Sequence, residues 1–593
     1  MKELKYLNQY FYKYRWRFLL GILFVAASNY FRVLQPQIVR EALDLVIENV
    51  TLYQMFDGTE SSVEFYGALG KILLYFGVLV LILALIMGVF MFGYRQTIIV
   101  MSRLVEHDMR KEVFDHYQKL DISFYKKNKI GDLMSRIVED VNKVRMYLGP
   151  AVLYGINLVT LFVFVIYSML NVSVELTLWC LVPLPILSLS IYYVSNLINK
   201  RSTVIQQQLA TLTSTSQEVY SGIRVVKSYV QEQFMGNYFA EQAEDYKNKA
   251  LSLARVDALF FPTMVILIGA STIITVYVGG LLVVNGSISA GNIAEFVIYV
   301  NMLTWPVTAL GWITSIIQQA SASQKRINEF LKTPTKIVNP TTAPKDFKGS
   351  VEFKNVSFDY PDTGIRALDK VSFKVNAGEK LAIIGKTGSG KTTIADLLVR
   401  MYDVSNGEIL IDGENIQSLD LNNLRQKIGY VPQDVFLFSD TIAKNVQFGK
   451  PSATQSEVEQ YTKYAAIHKE IAELPKGYET MVGERGVTLS GGQKQRVSIA
   501  RAFIKNPDFV LLDDCLSAVD TKTEKTITGF LTDAMGDKTA IIITHRVYGL
   551  LNFDKIIVLE DGHIAEAGNH DELMQNGGYY ADMYEKQMSE EVV

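Results

Sequence analysis

Cysteine is nearly absent from this chain. Cys180 and Cys515 are the two among 593 residues, one in an apolar run and one beside a pair of carboxylates, so no disulfide framework holds the fold together. An excess of charge is missing too: 58 Lys and Arg stand against 61 Asp and Glu, net -3, which gives no sign of a nucleic-acid partner. There is no cleavable signal peptide, because the N-terminus is charged and aromatic and its first apolar run leads into further ones. With no peptidase-like stretch before the first run and no added ligand-capturing region in the sequence, neither leader-peptide cleavage nor import is expected of this chain. Most informative is the distribution of Lys and Arg. None occurs between Arg40 and Lys71, between Arg145 and Lys200, or between Arg255 and Lys325.

A mean hydropathy of +0.15 conceals a first half far more apolar than the second. At this length several domains are expected, and the division falls near residue 330. Before it lie six apolar runs, near 17–47, 66–98, 147–170, 174–198, 256–284 and 291–320. Each exceeds the ~20 residues needed to cross a bilayer, and several are almost free of charge, which argues against buried helices of a soluble protein. Residues 1–14, rich in Lys, Tyr and Phe, suit a helix lying on the cytoplasmic membrane face. Basic residues crowd into 95–145 and 199–255, so both termini and these two segments belong in the cytoplasm, and the turns near 48–64, 171–174 and 285–290 outside.

The two cytoplasmic segments keep helical periodicity, as in Leu133, Ile137, Val141 and Val144, and read as membrane helices continued past the bilayer. They turn back at 118–131 (FYKKNKIGDL) and 212–226 (EVYSGIRVV), where an apolar residue and a glycine suit docking on a partner; solvated hairpins are the alternative. Polar or kinking residues interrupt the spans: Arg32, Gln35, Pro36 and Gln37, then Pro183 and Pro185, Asp257 and Pro262, and Glu295, Trp305 and Pro306. Intramembrane charge faces a cavity or another helix. Arg32 suits either role, the prolines suit kinks, and none of these residues identifies a substrate.

Residues 331–350, with three prolines, form an exposed linker. From 351 to 593 short β-branched runs alternate with helical stretches, implying an α/β domain with a mainly parallel sheet. The sharpest motif is GKTGSGKT, Gly385–Thr392, between the strand LAIIG and a helix. Gly385, Lys386, Thr387, Gly388, Ser389 and Gly390 let backbone N–H groups wrap a polyphosphate, with Thr393 following at the helix start. Lys391 reaches the β- and γ-phosphates and the Thr392 hydroxyl binds Mg²⁺. Asp513, ending FVLLD, is the second anchor for Mg²⁺. Tyr360 could stack on a purine or belong to the core. Gln433 could reach metal or attacking water. His545 ends a strand where it could touch a γ-phosphate, though a histidine there is as easily structural.

Together these residues resemble the ATP-binding-cassette (ABC) family, in particular an exporter half-transporter of the multidrug or lipid type. The likeness covers nearly the whole chain. LSGGQ at Leu489–Gln493 is its most specific element. It implies a six-helix all-α membrane domain of the type I exporter kind, residues 1–330, fused to an α/β P-loop nucleotide-binding domain, residues 351–593. It also implies ATP and Mg²⁺ as cofactors, with Tyr360 stacking on adenine, Gln433 in the Q-loop and at the metal, and His545 as switch histidine. Gly483–Gly486 (GERG) matches the loop before the signature, Ser517–Asp520 (SAVD) the D-loop, and the turns at 118–131 and 212–226 the coupling helices. Ser490, Gly491, Gly492 and Gln493 then face the ATP of a second chain, so the family's head-to-tail dimer is expected.

One position departs from the family. The residue after the Mg²⁺ aspartate is usually glutamate, which polarises the attacking water; here it is Asp514. One methylene less removes about 1.5 Å of reach, and misplacement by ~1 Å costs on the order of 10²-fold in rate. The resemblance is therefore to the degenerate-site subunit of heterodimeric bacterial exporters: a chain that holds MgATP, hydrolyses it slowly, and completes a competent site on a glutamate-bearing partner. The alternatives are a homodimeric lipid or drug flippase and, in another class, an ATP-gated channel or membrane regulator. The six spans argue against a soluble ATPase of DNA repair or translation. The expected setting is a bacterial inner membrane, with an amphipathic compound or lipid as substrate. With the native cysteines replaced, a cysteine at Ser287 should react with an impermeant maleimide from outside intact cells, and one at Ser221 only after permeabilisation.

Overall fold

The computed structural model describes residues 2–56, 58, 61–341, 343–483, 486, 488–515, 521–536, 538–545 and 553–591. Two compact units emerge. Met1–Tyr117 with Gly131–Thr333 form one, and Gln118–Ile130 with Pro334–Val593 form the other. The first turn-back segment thus packs with the C-terminal unit, although its flanking helices belong to the first.

Inside a bilayer a segment must satisfy its own backbone groups, and the first unit is helical accordingly. Among the described residues five helices are long and apolar enough to cross: Arg15–Val50, Val63–Lys119, Ile130–Val172, Glu232–Val284 and Ala290–Leu331. Glu232–Val284, at 53 residues, is roughly 80 Å long, far more than the ~30 Å of hydrocarbon. The run expected at 174–198 is broken into Val174–Leu181 and Pro183–Ser221. Pro183 has no N–H to give the preceding turn, so it opens the second helix instead of continuing the first. Within Val63–Lys119 an 18-residue stretch reaches a mean hydropathy of 3.0, yet only 6% of that stretch is buried. Such an apolar surface has lipid, not water, as its solvent.

Polar groups inside this unit are paired both within and across helices. Arg40 donates to Glu295 at 3.2 Å, Tyr299 donates to the same carboxylate at 2.9 Å, and Asn292 at 3.2 Å. Asp44 accepts from the Ser289 hydroxyl at 2.6 Å and the Gly291 N–H at 2.7 Å. A Cβ at Gly291 would meet the Arg40 carbonyl and Asp44 at 2.6 Å, so the first and last helices touch backbone to backbone there. Glu295 is therefore an interhelical partner. Arg32 differs: it is half-buried, and no carboxylate among the described residues lies within ion-pair distance.

Asp140 is buried at 1% exposure, accepts from Ser323 at 2.8 Å, and lies 3.4 Å from the Arg326 Nε. Removing Arg326 strands that carboxylate. Arg326→Ala should lower the unfolding temperature of the detergent-solubilised chain, equivalent to about 1–2 kcal/mol because Arg326 is part-exposed, and adding Asp140→Asn should recover most of the loss.

In the second unit the strands are β1 Val351–Asp359, β2 Arg366–Val375, β3 Lys380–Gly385, β4 Asn406–Ile411, β5 Glu414–Asn415, β6 Ile428–Val431, β7 Phe509–Asp513, β8 Thr539–Ile543, β9 Lys555–Glu560 and β10 His563–Gly568. They make an antiparallel sheet ordered β2-β1-β4-β5 and a second sheet ordered β10-β9-β3-β8-β7-β6. In the second sheet β9, β3, β8, β7 and β6 are parallel, with β10 an antiparallel edge. Strands β3 and β7 are apolar on both faces and buried almost throughout, as parallel strands covered on two sides must be. The loops after β3, β6, β7 and β8 consequently gather at one edge, the carboxyl ends of the strands, where open α/β sheets place their ligands.

Candidate functional site

The loop after β3 is built on glycines that no other residue could replace. At Gly385 (φ +150°) a Cβ would lie 2.2 Å from the Leu559 carbonyl, and at Gly390 (φ +99°) 2.3 Å from that of Ala367. The loop therefore passes tightly under neighbouring backbone and opens the helix Lys391–Leu398, whose first N–H groups suit an anion. Lys391 is buried and donates to the carbonyls of Gly385 (2.9 Å) and Lys386 (2.7 Å). Burial holds its ammonium below the ordinary lysine value, against the pull of Asp513 and Asp514.

Asp513 closes β7 at 1% exposure. Burial pushes its carboxyl up to about 6; the Thr392 hydroxyl opposes this, while the charges of Asp396 and Asp514 add to it. Its Oδ2 is buried without a hydrogen-bond partner among the described residues. An unpaired buried carboxylate oxygen beside a threonine hydroxyl fits a hard cation. The fit matches Mg²⁺, which keeps much of its shell for phosphate oxygens; the described residues contain no group of three or more His, Cys, Asp or Glu able to hold a metal. Asp514 is half-buried, donates its N–H to the Ile543 carbonyl at 2.8 Å, and takes a left-handed backbone, φ +45°. Aspartate is among the few side chains that tolerate this conformation. Burial, aided by Lys391, keeps His545 below its ordinary value despite Asp514, which favours the neutral imidazole.

These groups share one cavity of about 330 Å³. Thr387, Gly388, Gly390, Lys391, Thr392 and Thr393 line it from the loop, with Tyr360, Gln433, Asp513, Asp514 and His545 around them. Gly385, Lys386 and Ser389 do not line it. Lys386 instead pairs with Glu560 at 2.8 Å, and Ser389 is buried beneath the loop. Ser490–Gln493 are also elsewhere. Ser490 caps the helix Gly491–Phe503 in a box with Gln493, and Gln493 bonds Glu470 at 2.9 Å. Within one chain the signature and the P-loop do not form a common site. Of GERG, Glu484 and Arg485 lie outside the described residues, as does all of Ser517–Asp520. Sequence reasoning missed Arg366, which lines the cavity mouth from β2, because a charge in an alternating strand carries no signal of its own.

Residues 18–307 match the family of the ABC transporter transmembrane region and residues 368–517 the ABC transporter family. The probable multidrug resistance ABC transporter ATP-binding/permease protein YheI of Bacillus subtilis is 37% identical, over 98% of this chain and 97% of that one. The chain belongs to the ABC transporter family. The multidrug resistance-like ATP-binding protein MdlA of Escherichia coli is 35% identical over 98% of this chain and 96% of its own. A solved bacterial Atm1-family ABC exporter with ATP bound superposes with a TM-score of 0.77 at 27% identity, covering 97% of this chain and 99% of that one. The architecture is that of a type I ABC exporter: an apolar helical domain fused to an α/β domain that binds and hydrolyses ATP, and exporters of this family act as dimers in the membrane.

Between about pH 4 and 6 the folded chain keeps a proton on Asp513 that the unfolded chain has released, so this group costs stability progressively as pH rises through that window. Asp513→Asn should therefore raise the unfolding temperature of the metal-free chain at pH 7.5. The gain should shrink as pH falls toward 5, and the Mg²⁺ dependence of nucleotide binding should disappear.

Proposed function

We propose that this chain is one half of an ATP-driven exporter of amphipathic small molecules, drugs or lipids, with an own-site hydrolysis rate set low by Asp514. What carries the reading is the contrast between two ends of one stretch. A short carboxylate lines the chain's own cavity, while the intact signature at Ser490–Gln493 stands outside it. Tyr360 stacks on the base, the P-loop and Lys391 hold the phosphates, and Thr392, Asp513 and Gln433 hold Mg²⁺, which neutralises phosphate charge when bound. Asp514, Gln433 and His545 face the terminal phosphate; the neutral His545 offers a hydrogen bond there. The signature serves the P-loop site of a second half-transporter carrying glutamate at the position of Asp514. ATP draws the two nucleotide domains together, and the membrane domains alternate between inward- and outward-facing states. The spans lie in a bacterial inner membrane with the ATP-binding domains cytoplasmic. The names of the relatives, multidrug resistance proteins, support a broad amphipathic substrate class.

The homodimer reading draws on the same completeness: every phosphate-binding element and the signature are present in this chain. ATP hydrolysis by the purified, reconstituted chain separates the two. Alone it should turn over on the order of 10²-fold below its Asp514→Glu variant, and a glutamate-bearing partner should restore the rate. A wild-type chain already as fast as Asp514→Glu would overturn the heterodimer. Accumulation of substrate in inverted vesicles against a gradient distinguishes a pump from a channel.

A further inference from the structure

Stacking on a base would occupy Tyr360 from the cavity; the structure shows what holds the ring from elsewhere. Lys126 belongs to the short helix Ile122–Lys127, in the segment Gln118–Ile130 that packs as part of the nucleotide-binding unit. Its Nζ lies 4.9 Å from the centre of the Tyr360 ring and 5.3 Å from that of Tyr402, both within the ~6 Å over which a cation is held by a ring quadrupole. The two rings meet edge to face, 5.7 Å apart at 88°, so one ammonium serves both. The charge of Asp396 contributes a further attraction for the ammonium. At its other end the Tyr360 hydroxyl pairs with Thr393 Oγ1 at 2.9 Å, on the helix opened by the P-loop. Tyr360 lines the 330 Å³ cavity and Lys126 does not.

We propose that Lys126 is a positioning residue for the nucleotide base: it clamps Tyr360 through its ring, so that base stacking and the seating of Gln118–Ile130 strengthen one another. The proposal rests on Tyr360 being the base-stacking residue. The ring loses its freedom to turn before the base arrives, so stacking on it costs less ordering. Because coupling is reciprocal, the segment that links two membrane helices is held harder when a base is bound than when phosphates alone are. This distinguishes the role from a general positive charge near the site, which would favour any polyphosphate.

The test uses the full-length chain in lipid nanodiscs with Mg²⁺, comparing ATP with inorganic tripolyphosphate. Lys126→Met should weaken ATP about three- to fivefold and change tripolyphosphate by less than about twofold, while Lys126→Arg restores ATP binding. Hydrogen exchange within 118–130 should be slowed more by ATP than by tripolyphosphate in the wild type, and equally by both in Lys126→Met. In a Tyr360→Leu background, Lys126→Met should cost nothing further. If Tyr360→Leu leaves ATP affinity unchanged, the stacking reading fails and this proposal with it. If Tyr360→Leu weakens ATP but Lys126→Met does not, or if Lys126→Met weakens both ligands alike, the clamp is overturned while the stacking reading stands.

Discussion

A carboxylate at the end of a fully covered strand is expensive to ionise, and Asp513 is such a group: burial, with the charges of Asp396 and Asp514, carries it above the ordinary aspartate value. Its nearby cation, Lys391, is itself buried and engaged by two carbonyls of its own loop. Both line the cavity from largely buried positions. Their mutual arrangement requires β3 and β7 to lie in one parallel sheet with β8 between them. That sheet holds charge at strand ends that are nearly withdrawn from solvent.

The same edge of the sheet gathers most of the predicted site residues. P-loop, Gln433, Asp513, Asp514 and His545 all come from loops after parallel strands and meet in one cavity. The signature does not come from a strand end. It caps a helix whose start is tied by Gln493 and Arg496 to Glu470, the latter pair at 2.6 Å, and it does not line the cavity of its own P-loop.

In the first unit the governing constraint is different. Lipid offers no hydrogen bonds, so polar side chains are tolerable where protein groups answer them, as Arg40 of another helix and Asn292 and Tyr299 of its own answer Glu295. The apolar faces need no partner at all, which is why the most hydrophobic helix is also among the least buried. Arg32, half-buried with no carboxylate among the described residues beside it, is the exception that a transport pathway would explain.

Much of this was legible in the residues. Apolar runs of bilayer length, basic residues confined to alternate loops, and a glycine-rich loop between a strand and a helix each carry their physical cause in local composition. So does the shorter side chain at position 514. Three things were decided only by tertiary structure. Pro183 divides what hydropathy reads as one continuous run, because hydropathy averages over a missing N–H. Asp514 adopts a left-handed backbone, which depends on β7 meeting the Ile543 carbonyl of β8. Lys126 reaches Tyr360 across more than two hundred residues of chain, and no periodicity records a contact between a membrane-helix turn and the wall of a nucleotide cavity. Local sequence determines which groups are available; their pairing at a distance is set by how the sheet and the inserted segment pack.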